Sequence, residues 1–87
     1  MTKKQLVEII GSGKTTYLYF YAPWCEECRK VKSLVDKQVE PFVHINGGEH
    51  EELLDAFNID FYPTIVEITG TKKKTYSGSK AVKDLLK

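Results

Sequence analysis

Residues 15–22, TTYLYFYA, form the densest aromatic, β-branched and aliphatic run in the chain. Such a run favours an extended strand that is buried on both faces. A strand of this kind needs helical layers above and below it, and the flanking sequence carries helical patterns on both sides. Before it, TKKQLVEII places Leu6, Ile9 and Ile10 at helical spacing. Thr2 is the expected N-cap, and Gly11-Ser12-Gly13 the stop. After it, Pro23 ends the strand, and Val31, Leu34 and Val35 mark a helix starting near Cys25.

The rest follows the same logic. PFVHI (41–45) reads as a short strand, Asn46-Gly47-Gly48 as a turn, and Leu53, Leu54 and Phe57 as one face of a helix. PTIVEIT (63–69) and KKTYS (73–77) are expected to pair around Gly70-Thr71. Val82, Leu85 and Leu86 mark a last helix, with Ser77 or Ser79 as its cap. The order α-β-α-β-α-β-β-α implies a parallel strand pair early and an antiparallel hairpin late. The expectation is an α/β fold, a mixed four-stranded sheet flanked by helices on both faces.

A chain of 87 residues buries roughly 60–65% of its unfolded surface, which suits one modest core and a single domain over residues 1–87. The net charge of +1 provides no field for nucleic acid or an anionic membrane surface. Apolar runs are too short to span a bilayer. Residues 1–10 lack the apolar stretch and cleavage site of a secretory leader, so the expected location is cytoplasmic. In that reducing setting a close cysteine pair is more often redox-active or metal-binding than a staple.

Three motifs invite a functional reading and receive a structural one. GSGKTT (11–16) lacks the first glycine of a phosphate loop, because position 8 is Glu8. It also leaves a helix and enters a strand, the reverse of what a phosphate loop requires. The lysines at 72–74 belong to an expected edge strand, where they discourage edge-to-edge pairing. His44 and His50 stand far from the cysteines in sequence and read as ordinary strand and helix residues.

Cys25 and Cys28, in YAPWCEECRK (21–30), carry the strongest signal. On a helix they lie one turn apart on one face. As a staple so short a loop contributes only about 2 kcal/mol. A tetrahedral metal site commonly takes two such pairs, and with one pair it would need the histidines or a second subunit. No metal is therefore expected, although the spacing alone leaves that alternative open. A reversible dithiol needs this pair only. At a helix start, free N–H groups favour the thiolate of Cys25, and the more shielded Cys28 would act second.

The segment YFYAPWCEEC (19–28) resembles the active-site strand and turn of the thioredoxin family, aromatic-Ala-x-Trp-Cys-x-x-Cys. FNIDFYPT (57–64) looks like the stretch leading to that family's cis-proline, and YSG (76–78) like its late glycine loop. The resemblance covers nearly the whole chain. It implies a thioredoxin-like fold with the first family strand absent. It also implies a thiol–disulfide oxidoreductase that reduces disulfide-containing protein substrates through a Cys25–Cys28 dithiol/disulfide. Cys25 would attack and Cys28 resolve. Trp24, the backbone of Tyr62, a cis Pro63 and Gly78 would form the substrate-docking surface. No cofactor would be bound. Electrons would come from NADPH through a separate flavoprotein, a thioredoxin-reductase-like enzyme, and a monomer is the expected form. The alternatives are a glutaredoxin-like, glutathione-linked reductase and a non-catalytic thioredoxin-like binding module. Against the first, the chain begins with a helix and carries Phe61-Tyr62-Pro63 in place of a Thr-Val-Pro turn.

Four departures from the family pattern bear on mechanism. Tyr19 stands where the family usually has a buried aspartate, and Phe42 where it has that residue's lysine partner. Tyrosine is a poor base at neutral pH. Tyr17, Tyr19 and Tyr21 are expected on one strand face beneath the active-site helix, leaving the Cys28 proton to water or Glu27. Ser33 occupies the place of the kinking proline. Glu26 and Glu27 replace the usual Gly-Pro, and these two, with Tyr19, are the expected tuners of sulfur ionisation. Two carboxylates beside Cys25 should disfavour its thiolate and make the couple reducing rather than oxidising, or mark a docking face for a basic partner.

Overall fold

A computed structural model describes residues 3–39 and 42–86, apart from the side chains of Lys3 and Ile10. The expected Thr2 cap, the Ile10 side chain and Pro41 lie outside the described residues. The elements run α1 (Lys3–Gly11), β1 (Thr16–Tyr21), α2 (Glu26–Arg29), α3 (Lys32–Val35), β2 (Phe42–Asn46), α4 (Glu51–Ala56), β3 (Thr64–Thr69), β4 (Lys72–Ser77) and α5 (Ser79–Leu86). The order is the expected one, except that the second helix is two short pieces.

The four strands form one mixed sheet in the order β2-β1-β3-β4. β1 pairs in parallel with β2, with Tyr19 opposite His44. It pairs antiparallel with β3, with Leu18 opposite Val66 and Phe20 opposite Thr64. β3 and β4 close the hairpin. Its two-residue loop begins at Gly70, whose φ of 59° is costly for a residue with a Cβ. Lys72, Lys73 and Lys74 are exposed on the outer strand, as a protected sheet edge requires.

Alternation along β1 divides the core into two layers. Leu18 and Phe20 face α1 and α4, where they pack with Leu6, Ile45, Leu53, Val66 and Ile68. Tyr17, Tyr19 and Tyr21 face the opposite way, onto Val31, Val35, Phe42, Ile65 and Val82, which come partly from α2–α3 and α5. The aromatic face therefore lies beneath the cysteine-bearing helix.

Three local features aim this layer. The helix after Cys25 breaks at Lys30 and Val31 through tighter bonds, from Lys30 N–H to Glu27 C=O at 3.3 Å and from Val31 N–H to Cys28 C=O at 3.2 Å. No proline is needed, and Val31 is fully buried at the break. α4 ends in a Schellman motif: Ile59 N–H donates to Leu54 C=O at 2.9 Å, Asn58 N–H to Asp55 C=O at 3.3 Å, and Asn58 takes φ 55°. This turn feeds residues 59–63 toward the cysteines. The last helix differs from expectation. Ser77 lies in β4 and Ser79 is already helical, so Gly78 occupies the cap position and its C=O accepts from Val82 N–H at 3.1 Å. The Ser79 hydroxyl is engaged elsewhere, as shown below.

Leu18 is fully buried between two layers, whereas Val7 on α1 is 61% exposed. Leu18→Ala should cost about 2–5 kcal/mol and Val7→Ala no more than about 0.5, read as the shift in the urea midpoint at constant slope. Equal shifts would show that the β1 core is not the main source of stability.

Candidate active site

The site forms where β1 leaves the sheet. Ala22 C=O accepts from Cys25 N–H at 3.1 Å, which folds Pro23 and Trp24 into a tight turn. Cys25 then caps α2 instead of beginning it: its backbone is extended, and Cys28 N–H donates to Cys25 Sγ at 3.2 Å. Both cysteines are free thiols, each 7% exposed, packed with Ala22. An N–H aimed at a sulfur at a helix start is the contact that serves a thiolate nucleophile.

Cys28 is no more shielded than Cys25, contrary to expectation, and the two differ in their surroundings instead. Burial, above all, pushes its thiol up to about 11, and hydrogen bonding to the Cys25 sulfur acts in the same direction. The Ala22 backbone and the Tyr19 hydroxyl pull the other way without prevailing. Cys28 thus holds its proton near neutral pH. The Tyr19 phenol lies near Cys28 and is itself pushed well above the ordinary tyrosine value, first by burial and then by the nearby sulfurs. So shifted, it cannot itself serve as a base near neutrality.

The residues expected around the cysteines converge from three segments. Trp24 is 74% exposed, and its ring meets Tyr62 edge-on with centroids 5.8 Å apart. Tyr62 also packs against the Ala22–Cys25–Cys28 cluster. The Tyr62–Pro63 bond is cis, and Pro63 is buried. Gly78, at φ 92°, donates its N–H to Pro63 C=O at 2.9 Å, which brings the two distant segments together. The Glu27 carboxylate is engaged by a cation and a hydroxyl. Glu27 pairs with Lys30 Nζ at 2.9 Å and accepts from Ser79 Oγ at 3.1 Å. These contacts hold its carboxyl below the usual range. Its charge thus faces a cation and the start of α5, and Glu26 is exposed to solvent.

Several contributors were not readable in the sequence. Phe61, 66% exposed beside Tyr62, adds a second large apolar side chain to the surface, and its C=O accepts from Thr64 Oγ1 at 2.6 Å. Gly47 seats Tyr62, whose hydroxyl occupies the place a Cβ would take. A cavity of about 410 Å³ opens beneath the cysteines, bounded by Tyr19, Tyr21, Cys25, Cys28, Asp36 and His44. Among the described residues no group of three His, Cys, Asp or Glu side chains is placed to hold a metal ion, and no helix is long and apolar enough to cross a membrane.

Two outcomes follow from this geometry. A methyl group at position 47 displaces the Tyr62 ring, so Gly47→Ala should cost about 1–3 kcal/mol. It should also change the emission of Trp24, the chain's single tryptophan. Unaltered emission would mean that Gly47 does not hold the ring. The second concerns alkaline pH. The folded-state value of Cys28 lies above its ordinary 9.0. Above pH 9 the unfolded chain releases a proton that the fold retains, so stability is lost as pH rises toward about 11. Reduced wild type should lose up to about 1.4 kcal/mol per pH unit more steeply there than Cys28→Ser, followed by denaturant titration at each pH. Parallel curves would remove the assignment.

The thioredoxin family model matches residues 1–87. Thioredoxin of Mycoplasma genitalium is 33% identical over 81 residues, spanning 86% of this chain and 79% of its own length. Protein disulfide-isomerase 1 of Dictyostelium discoideum is 24% identical over 90 residues, 90% of this chain and 25% of that much longer protein. Among solved structures, the Malassezia sympodialis thioredoxin Mala s 13 superposes with a TM-score of 0.84 at 21% identity, covering 97% of this chain and 80% of its own. Mitochondrial thioredoxin 3 of Saccharomyces cerevisiae gives 0.81 at 18% identity, covering 95% and 86%. These two share the fold. With a full-length family match and a curated relative at this level of identity, the chain belongs to the thioredoxin family, and its chemistry is thiol–disulfide oxidoreduction.

Proposed function

We propose that this chain reduces disulfides in target proteins, with Cys25 as the attacking thiolate and Cys28 as the resolving thiol. The hydrogen bond from Cys28 N–H to Cys25 Sγ carries this reading. It gives the Cys25 sulfur a donor suited to an anion, while desolvation keeps the proton on Cys28. Cys25 attacks one sulfur of the target disulfide, forming a mixed disulfide and releasing the other sulfur as a thiolate. Cys28 then attacks Cys25. The Cys25–Cys28 bond forms, the mixed disulfide breaks, and the target leaves with two reduced sulfurs.

Trp24, Phe61 and the Tyr62–Pro63 segment supply the apolar docking surface. The backbone of Tyr62 pairs with an extended target segment, and Gly78 leaves room for it. Glu26 and Glu27 tune the site, Glu27 chiefly by tying the active-site helix to α5. The chain acts as a monomeric single domain in the cytoplasm. Its disulfide is returned to the dithiol by a separate flavoprotein reductase drawing on NADPH.

Insulin reduction driven by dithiothreitol tests the roles. Wild type should accelerate insulin precipitation, and Cys25→Ser should fall to the rate of dithiothreitol alone. Cys28→Ser should accumulate a mixed disulfide visible by intact mass. A Cys25→Ser protein as fast as wild type would overturn the mechanism.

A further inference from the structure

Resolution must discard a proton from a buried thiol, and a cavity opens beside that thiol. The cavity touches both cysteines and is bounded by side chains from four elements. At about 410 Å³ it has room for several water molecules. Its charged and titratable groups, besides the cysteines, are Arg29 of α2, Lys32 of α3, Asp36 at the C-cap of α3, Tyr19 and Tyr21 of β1, and His44 of β2.

Most of these are unsuitable acceptors near neutral pH. Guanidinium and ammonium groups are already protonated. A phenol ordinarily keeps its proton at neutral pH, and burial holds the Tyr19 phenol there. The Asp36 carboxylate accepts from Lys32 Nζ at 2.8 Å, and a carboxylate is ordinarily a weaker base than imidazole by about 2.5 pKa units. Glu26 and Glu27, the carboxylates between the cysteines in sequence, do not border the cavity, and Glu27 is engaged by Lys30 and Ser79. Imidazole is the group whose ordinary titration falls where such an acceptor needs it.

His44 is also connected to the thiol. It lies directly across the parallel ladder from Tyr19, with their side chains on the same face of the sheet. The rings meet edge-on with centroids 5.6 Å apart. The Tyr19 phenol in turn lies close enough to Cys28 that each group shifts the other's ionisation. His44 itself is exposed, so a proton it takes up can pass to solvent.

We propose that His44 receives the proton Cys28 gives up during resolution, relayed by the Tyr19 hydroxyl and water in the cavity. The inference rests on the reading of Cys28 as the resolving thiol. In the balanced step, the Cys28 S–H bond breaks and its electron pair forms the bond to Cys25. The bond between Cys25 and the target sulfur breaks, and the target leaves as a thiolate. The proton passes to the His44 imidazole, which becomes imidazolium. Two thiols are oxidised to one disulfide, and the target disulfide is reduced. His44 thus acts through Tyr19 and not by contact with the reacting sulfurs.

The test uses dithiobis(nitrobenzoate) as the disulfide and stopped-flow absorbance of the released thionitrobenzoate. The first release reports attack by Cys25. The second, first-order and independent of reagent concentration, reports resolution. For wild type, the second phase should rise through the imidazole range, about pH 6–7, and then level off. His44→Gln should abolish that inflection, leaving a rate that climbs with hydroxide, and slow resolution at neutral pH by about tenfold or more. Its first phase should be unchanged. Tyr19→Phe should slow the second phase at every pH, and Asp36→Asn should keep the wild-type profile. A His44→Gln profile matching wild type, or an inflection lost in Asp36→Asn instead, overturns the proposal. Failure of the underlying reading looks different: the second release would persist in Cys28→Ser.

Discussion

Double burial of β1 is the constraint on which the rest of this structure depends. Leu18 and Phe20 are fully excluded from water on one face, and Tyr19 is nearly so on the other. A strand buried on both sides must be central, so β2 and β3 flank it and helices cover both faces. The same strand then leaves the sheet at Tyr21 and delivers Cys25 to its C-terminal end. The rigidity of the cysteine pair is thus inherited from the best-packed element of the fold.

The site couples three segments that are far apart in sequence. Gly78 binds Pro63 through the backbone, Tyr62 meets Trp24 and the cysteine cluster, and Glu27 joins the active-site helix to α5 through Ser79. Each contact is modest on its own. An exposed pair such as Glu27 with Lys30 contributes little to stability, and its value here is geometric. Together the contacts hold one sulfur at a helix cap with a donor and keep the other buried with its proton. That asymmetry divides attack from resolution.

Most of the fold was legible because the periodicities are strong. The β1 run, the Leu6–Ile9 and Val31–Val35 spacings and the Gly70-Thr71 turn each have a local physical cause, and each marks its element correctly. The misreadings were also local in origin. Ser77 and Ser79 are both good caps by type, yet Gly78 takes the cap position because the chain must turn there with a positive φ. The helix after Cys25 reads as continuous, yet it breaks at Val31 without proline. The ties of Glu27 to Lys30 and Ser79 were not legible, because sequence distance says nothing of direction.

By itself the sequence determined the element order, the strand buried on both faces, the cysteine pair at the start of a helix, and the late segments that resemble the family. Those features are written in local spacing and residue type, which act over a few residues. Tertiary structure alone decided that Tyr19 lies against His44, that Gly47 seats Tyr62, that Ser79 captures Glu27, and that a cavity joins Cys28 to the sheet edge. These depend on strand register and on the docking of helices across two layers. Such contacts join residues many positions apart, and no local pattern encodes them.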